Sequence, residues 1–121
     1  MNTLVNHELC RQLRKAGYNE PQPRVAPRRN GVCAVSDNAE RKFYTGILLP
    51  TVINSQLPDK FFTVPTVSDV VMWLYRTKGI WLYVYQPNQS GYWAFNLEGK
   101  AKYNTMSEAY NEGIKYILNN E

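Results

Sequence analysis

Apolar residues recur at helical spacing in three stretches of the chain. In residues 6–16, Leu9, Cys10, Leu13 and Ala16 fall on one side of a helix that Asn6 can cap and Gly17 can end. Val5 ahead of the cap can staple to Cys10, and Arg14 and Lys15 suit the negative end of the helix dipole. A second helix is predicted after Pro65, where Thr66-Val67-Ser68-Asp69 supplies a cap and a first-turn acid, and Lys78-Gly79 is its stop. Val67, Val70, Val71 and Leu74 share one face, and Met72, Trp73 and Tyr75 widen the stripe, which predicts burial on more than one side. The third helix opens with the capping box Thr105-Met106-Ser107-Glu108 and carries Met106, Ala109, Tyr110, Gly113, Ile114, Ile117 and Leu118 in an i, i+3, i+4 pattern. A helix-interior glycine costs about 1 kcal/mol relative to alanine, so Gly113 predicts a close approach by a strand or helix.

Alternation with period two marks the strands. Ile80-Trp81-Leu82-Tyr83-Val84-Tyr85 alternates aliphatic and aromatic residues, residues 87–91 turn the chain, and residues 92–97 return with Trp93, Phe95 and Leu97 on one face. A second hairpin is expected from residues 32–35 and 42–48 across the turn-rich segment 36–40. Three prolines and three arginines in residues 21–30 read as an extended loop or arm. The long connection 50–65 should be packed in part, because Phe61-Phe62 would be costly to leave in water. The resulting order α-β-β-α-β-β-α predicts an α+β fold: two β-hairpins in a mostly antiparallel sheet packed with three helices, as a single domain over residues 1–121 with a Pro/Arg-rich arm at 21–30.

At 121 residues with 44% hydrophobic content, the chain can bury a core without a metal or disulfide, and it is neither disordered nor rich enough in apolar runs to span a membrane. A soluble protein without a secretory leader is expected, hence a cytoplasmic one. Cys10 and Cys33 cannot form a metal site with His7, the single histidine, without other ligands. Their spacing is compatible with a disulfide, but the preferred reading is two buried small hydrophobes. His7, in the first turn of its helix without a partner motif, reads as a solvated helix residue.

Three local stretches carry a resemblance. Residues 6–21, with the Gly17-Tyr18-Asn19-Glu20-Pro21 exit, form the first. The second joins Asn54-Ser55-Gln56-Leu57-Pro58 to Val64-Pro65-Thr66, Met72-Trp73-Leu74-Tyr75-Arg76 and Lys78-Gly79-Ile80, and the third is residues 103–109 with Gly113-Ile114. Together they resemble a family of small uncharacterised proteins encoded by phages and prophages of Bacteroides and related gut bacteria. The resemblance implies a phage origin and a shared fold, and supplies no activity.

Two features are candidates for function. Residues 11–42 hold eight basic side chains (Arg11, Arg14, Lys15, Arg24, Arg28, Arg29, Arg41 and Lys42) against Glu20, Asp37 and Glu40, a local excess of positive charge that more than accounts for the chain's net +4. Arg24, Arg28, Arg29, Arg41 and Lys42 could reach phosphates, which makes nucleic acid a candidate partner; a solvated basic loop is the competing reading. The row Trp81, Tyr83 and Tyr85 could stack bases, but those strands carry no interleaved basic residue. With Ile80, Leu82 and Val84 opposite, both faces are apolar, which favours a covered core or a protein interface over an open platform.

Enzymatic signatures are lacking: there is no phosphate-binding glycine loop, nucleophile elbow or metal-spaced cluster. Glu108 is accounted for by the capping box and Glu112 by a solvent-facing helix surface. The expectation is therefore a non-enzymatic accessory protein without catalytic residues, cofactor or metal, acting on a protein partner or on a second copy of itself, with nucleic acid as the alternative.

Overall fold

Among the described residues, three helices and short antiparallel strands alternate along the chain in an α+β fold. The computed structural model describes residues 3–27, 33–34, 51–57, 61–87 and 91–120. Contacts gather into two compact units, Val5–Pro65 in one, and Thr66–Glu121 with Met1–Leu4 in the other.

In the first unit, α1 (His7–Lys15) begins where Asn6 Oδ1 accepts from Leu9 N at 2.9 Å and buries Leu9, Cys10 and Leu13. It ends in a Schellman motif: Tyr18 N donates to Leu13 O and Gly17 N to Arg14 O, with Gly17 at φ 94°, a conformation that β-carbon crowding denies most other residues. The Gly17-Tyr18 exit is thus a backbone device that sends the Tyr18 ring into the core. Three strands follow, β1 (Arg24–Pro27), β2 (Cys33–Ala34) and β3 (Phe61–Thr63), with β1 central and antiparallel to both neighbours.

The loop expected over 21–30 is therefore corrected at Arg24–Pro27. Val25 is fully buried with Val52, Leu57 and Phe61, and its burial in a paired strand outweighs the local bias of the flanking prolines. The expected partner strand 42–48 lies outside the described residues, as do Arg28, Arg29, Arg41 and Lys42. Phe61 and Phe62 are buried in β3, as expected.

A 3-10 turn, Asn54–Gln56, braces this unit through its polar side chains. The buried Asn54 donates through Nδ2 to Tyr18 O at 2.7 Å and accepts at Oδ1 from Thr63 N at 2.9 Å. Ser55 N donates to Asn19 Oδ1 and Ile53 N to Gln56 Oε1. Arg14 spans the same region, its guanidinium donating to Leu57 O at 2.8 Å and to Phe61 O. His7 is half-buried with its ring edge-on to Phe62 at 4.9 Å, so the solvated residue expected there is in fact a packing residue.

In the second unit, α2 (Val67–Lys78) is capped by Thr66 Oγ1 accepting from Asp69 N, and Val67, Val70, Val71, Trp73 and Leu74 are buried. Met72 and Tyr75 are exposed, so of the residues expected to widen the buried stripe only Trp73 is covered. Strands β4 (Val84–Tyr85) and β5 (Ala94–Phe95) pair antiparallel, extended by a bridge from Trp93 to Tyr103. The last helix, α3 (Met106–Asn119), packs on both strands and on α2. Thr105 Oγ1 accepts from Glu108 N, while the Glu108 carboxylate accepts from Asn104 N. A β-carbon added to Gly113 would lie 2.6 Å from Leu82 Cδ1 and 3.3 Å from Phe95 Cγ, which is the close approach its sequence position predicts.

Two buried groups make stability depend on alkaline pH. Burial pushes the Cys10 thiol, free and donating to Val5 O, from 9.0 up to about 12. Burial, the Glu98 carboxylate and its hydrogen bond, and the charges of Glu112 and Glu108 raise the Tyr103 phenol from 10.0 to about 12. The folded chain holds these protons more tightly than the unfolded one. Their contribution is whole below about pH 9 and is lost as pH rises toward 12. Urea denaturation should show flat stability from pH 7 to 8.5 and a decline from pH 9 upward, and Cys10 should resist thiol reagents at pH 8 until the chain unfolds. A stability that rises with pH above 9 would contradict both assignments.

Candidate interaction surface

The approach to β4 is extended but not paired as a conventional ladder. Asn96 takes the place of a neighbouring strand: its backbone N donates to Tyr83 O at 3.0 Å, its Oδ1 accepts from Tyr83 N at 3.0 Å, and its Nδ2 donates to Trp81 O at 2.8 Å. One carboxamide therefore satisfies backbone groups that a longer strand would otherwise serve. Alternation survives: Leu82 is buried while Trp81 is 50% and Tyr83 46% exposed. Tyr85 is half-buried, its ring centroid 6.0 Å from that of Tyr83. The return segment does not alternate to its end, because the chain turns after Phe95 with Glu98 N and Gly99 N both donating to Phe95 O, and Leu97 is left exposed instead of following Phe95.

Helix α2 adds the rest of the surface. Tyr75, 52% exposed, meets Trp81 edge to face at 5.3 Å between centroids, and Met72 is 45% exposed. Beside them is a groove of about 220 Å³ lined by Val67, Ser68, Val71, Met72, Trp81, Leu82, Tyr83 and Tyr110. Aromatic residues and methionine are the types enriched in the cores of protein interfaces, and charged residues are depleted there. Met72, Tyr75 and Tyr110 were not among the residues singled out from sequence. Their helical spacing assigned them to the core stripes, and only the sharing of one surface with Trp81 and Tyr83 separates them from it.

The basic candidates are not brought together among the described residues. Arg24 lies on β1 and is half-buried, and the other four fall outside the described residues. Two members of the wider basic stretch are engaged within the fold, Arg11 with the Glu8 carboxylate and Arg14 with the Leu57 and Phe61 carbonyls. Arg11, through its hydrogen bond and charge, holds the Glu8 carboxyl below its usual range. Glu112 is half-buried and lines a cleft with Tyr103, which corrects the solvent-facing position expected for it. Among the described residues no group of three or more His, Cys, Asp or Glu side chains is arranged to hold a metal ion, and no helix is long and apolar enough to cross a membrane.

No family model, curated protein or solved structure matches the chain.

Proposed function

We propose that the protein is a non-enzymatic accessory protein of phage or prophage type that binds a partner protein through the Trp81/Tyr83 face. The observation that carries the reading is the open state of that face: Met72, Tyr75, Trp81 and Tyr83 are each about half exposed beside an apolar groove. The occupant is a protein that inserts an apolar side chain into the groove, with the four residues closing around it. Protein is favoured over nucleic acid because neither Ile80-Trp81-Leu82-Tyr83-Val84-Tyr85 nor Tyr92-Trp93-Ala94-Phe95-Asn96-Leu97 contains a basic residue to meet phosphates. The sequence resemblance supports the phage origin.

The test compares wild type with Trp81→Ser/Tyr83→Ser. The double variant should keep its stability within about 1 kcal/mol, because both side chains are half exposed. A protein retained by immobilised wild type from a Bacteroides lysate is purified and titrated against both forms. Its affinity should fall by about 100-fold or more in the variant, and should change by less than about threefold between 50 and 200 mM salt. Equal affinity for the two forms overturns the reading. Steeply salt-dependent binding of labelled DNA or RNA, lost in Arg24/Arg28/Arg29→Ala, would move the function to the basic 24–42 region. Concentration-dependent dimerisation abolished by the double variant would make the occupant a second copy of the chain.

A further inference from the structure

On the second unit, the turn after β5 and the C-terminal half of α3 enclose a cleft of about 200 Å³. Its walls combine aromatic rings with carboxylates. Phe95 stacks with Tyr103 at 5.9 Å and meets Tyr116 at 5.5 Å between centroids, while Glu98 enters from the turn and Glu112 from α3. Glu112 and Tyr116 are one helical turn apart, so α3 presents a carboxylate and a ring on the same face. The Tyr103 hydroxyl donates to Glu98 Oε1 at 3.2 Å and feels the charge of Glu112 as well, so carboxylates from both walls act on this one ring.

A cation already occupies part of this arrangement. Lys102 Nζ stands 5.5 Å from the centroid of the Tyr103 ring and 3.7 Å from Glu98 Oε1. A ring face and a carboxylate on a single ammonium are the pair of contacts by which proteins recognise alkylated ammonium groups, the ring favouring diffuse positive charge and the carboxylate neutralising it. Lys102 is tethered by its own backbone, with its side chain 55% exposed, and can swing into solvent, while Lys115 lines the cleft from the α3 side.

We infer that this cleft is a binding site for an organic ammonium ion, in which the Lys102 side chain is a resident competitor. Displacing Lys102 leaves the Tyr103 face and the Glu98 carboxylate for the incoming cation, with Tyr116 closing the outer side. The inference stands independently of the Trp81/Tyr83 face, whose residues do not line this cleft.

The experiment follows the Tyr103 and Tyr116 ring resonances by NMR during titration with tetramethylammonium chloride, with sodium chloride at equal ionic strength as control. A parallel arm uses a blocked Ala-trimethyllysine-Ala peptide. Saturable shifts at both rings, absent with sodium chloride, are expected, with binding about fivefold tighter in Lys102→Ala and about fivefold weaker in Glu98→Gln. A peptide bound about tenfold more tightly than tetramethylammonium assigns the site to a side chain of a polypeptide, and equal affinity assigns it to a free small ammonium; both support it. Shifts that never saturate, that sodium chloride reproduces, or that Lys102→Ala leaves unchanged overturn it. Lys102→Ala alters an exposed side chain and is not expected to impair folding, so the decisive arm does not rest on Glu98→Gln.

Discussion

Replacing Gly113 with valine should destabilise the protein by about 3 kcal/mol or more, although valine is the better helix former. The first added carbon already falls 2.6 Å from Leu82 Cδ1, 3.1 Å from Leu82 Cδ2 and 3.3 Å from Phe95 Cγ. Leu82 and Phe95 are themselves fully buried, so neither can yield without disturbing what lies behind it. Alanine isolates the balance. It gains about 1 kcal/mol of helix propensity and loses about 1–3 kcal/mol to overpacking, for a net loss of about 0–2 kcal/mol. In a double-mutant cycle, Leu82→Ala should relieve at least about 1 kcal/mol of the Gly113→Ala overpacking, measured by urea unfolding. Additive losses would mean that the two residues do not meet.

Asn54→Ala should cost about 2–4 kcal/mol, as much as a large core truncation, although the residue is polar and lies in a connection between strands. Its carboxamide serves two buried backbone groups, Tyr18 O and Thr63 N, and alanine removes both bonds. Asp in its place keeps an acceptor for Thr63 N but turns a negative oxygen toward Tyr18 O, and should be at least as damaging. Thr63 offers the contrast, because its hydroxyl is buried with no hydrogen-bond partner among the described residues. Thr63→Val removes an unmet polar group at nearly constant volume and should be neutral or stabilising by up to about 1 kcal/mol. Denaturant midpoints for Asn54→Ala and Thr63→Val should therefore move in opposite directions or differ by at least about 2 kcal/mol; an Asn54→Ala protein as stable as wild type would refute the brace.

These cases show which parts of the architecture can be read from the chain. Helix starts were legible because capping is local: Asn6, Thr66 and Thr105 lie within a few residues of the amides they satisfy. Gly113 was legible as an anomaly, a poor helix former in a strong helix, although its neighbours Leu82 and Phe95 were not. Asn54 was not legible at all, since one of its partners is 36 residues away and a polar residue near a proline reads as loop. Strand β1 was hidden by Pro21, Pro23 and Pro27, because pairing on both edges with β2 and β3 is a tertiary fact.

The candidate surface was half legible. Alternation put Trp81 and Tyr83 on one face, but periodicity cannot distinguish a face covered by another element from one left open. The same limit misplaced Met72 and Tyr75, whose apolar character fits a core and an interface equally well. The family resemblance rests on residues that the structure explains by packing and capping, among them Gly17, Asn54, Thr66 and Glu108.

The most direct test of a protein-binding role for the aromatic face is site-specific photocrosslinking, with a benzophenone amino acid placed at Tyr83 and, in a control protein, at Lys115 on α3. Irradiation in a bacterial lysate should give one discrete covalent adduct to a protein from position 83, lost when Trp81 is changed to Ser, and no such adduct from position 115. Indistinguishable adduct patterns from the two positions, or adducts at 83 that nuclease treatment removes, would contradict it.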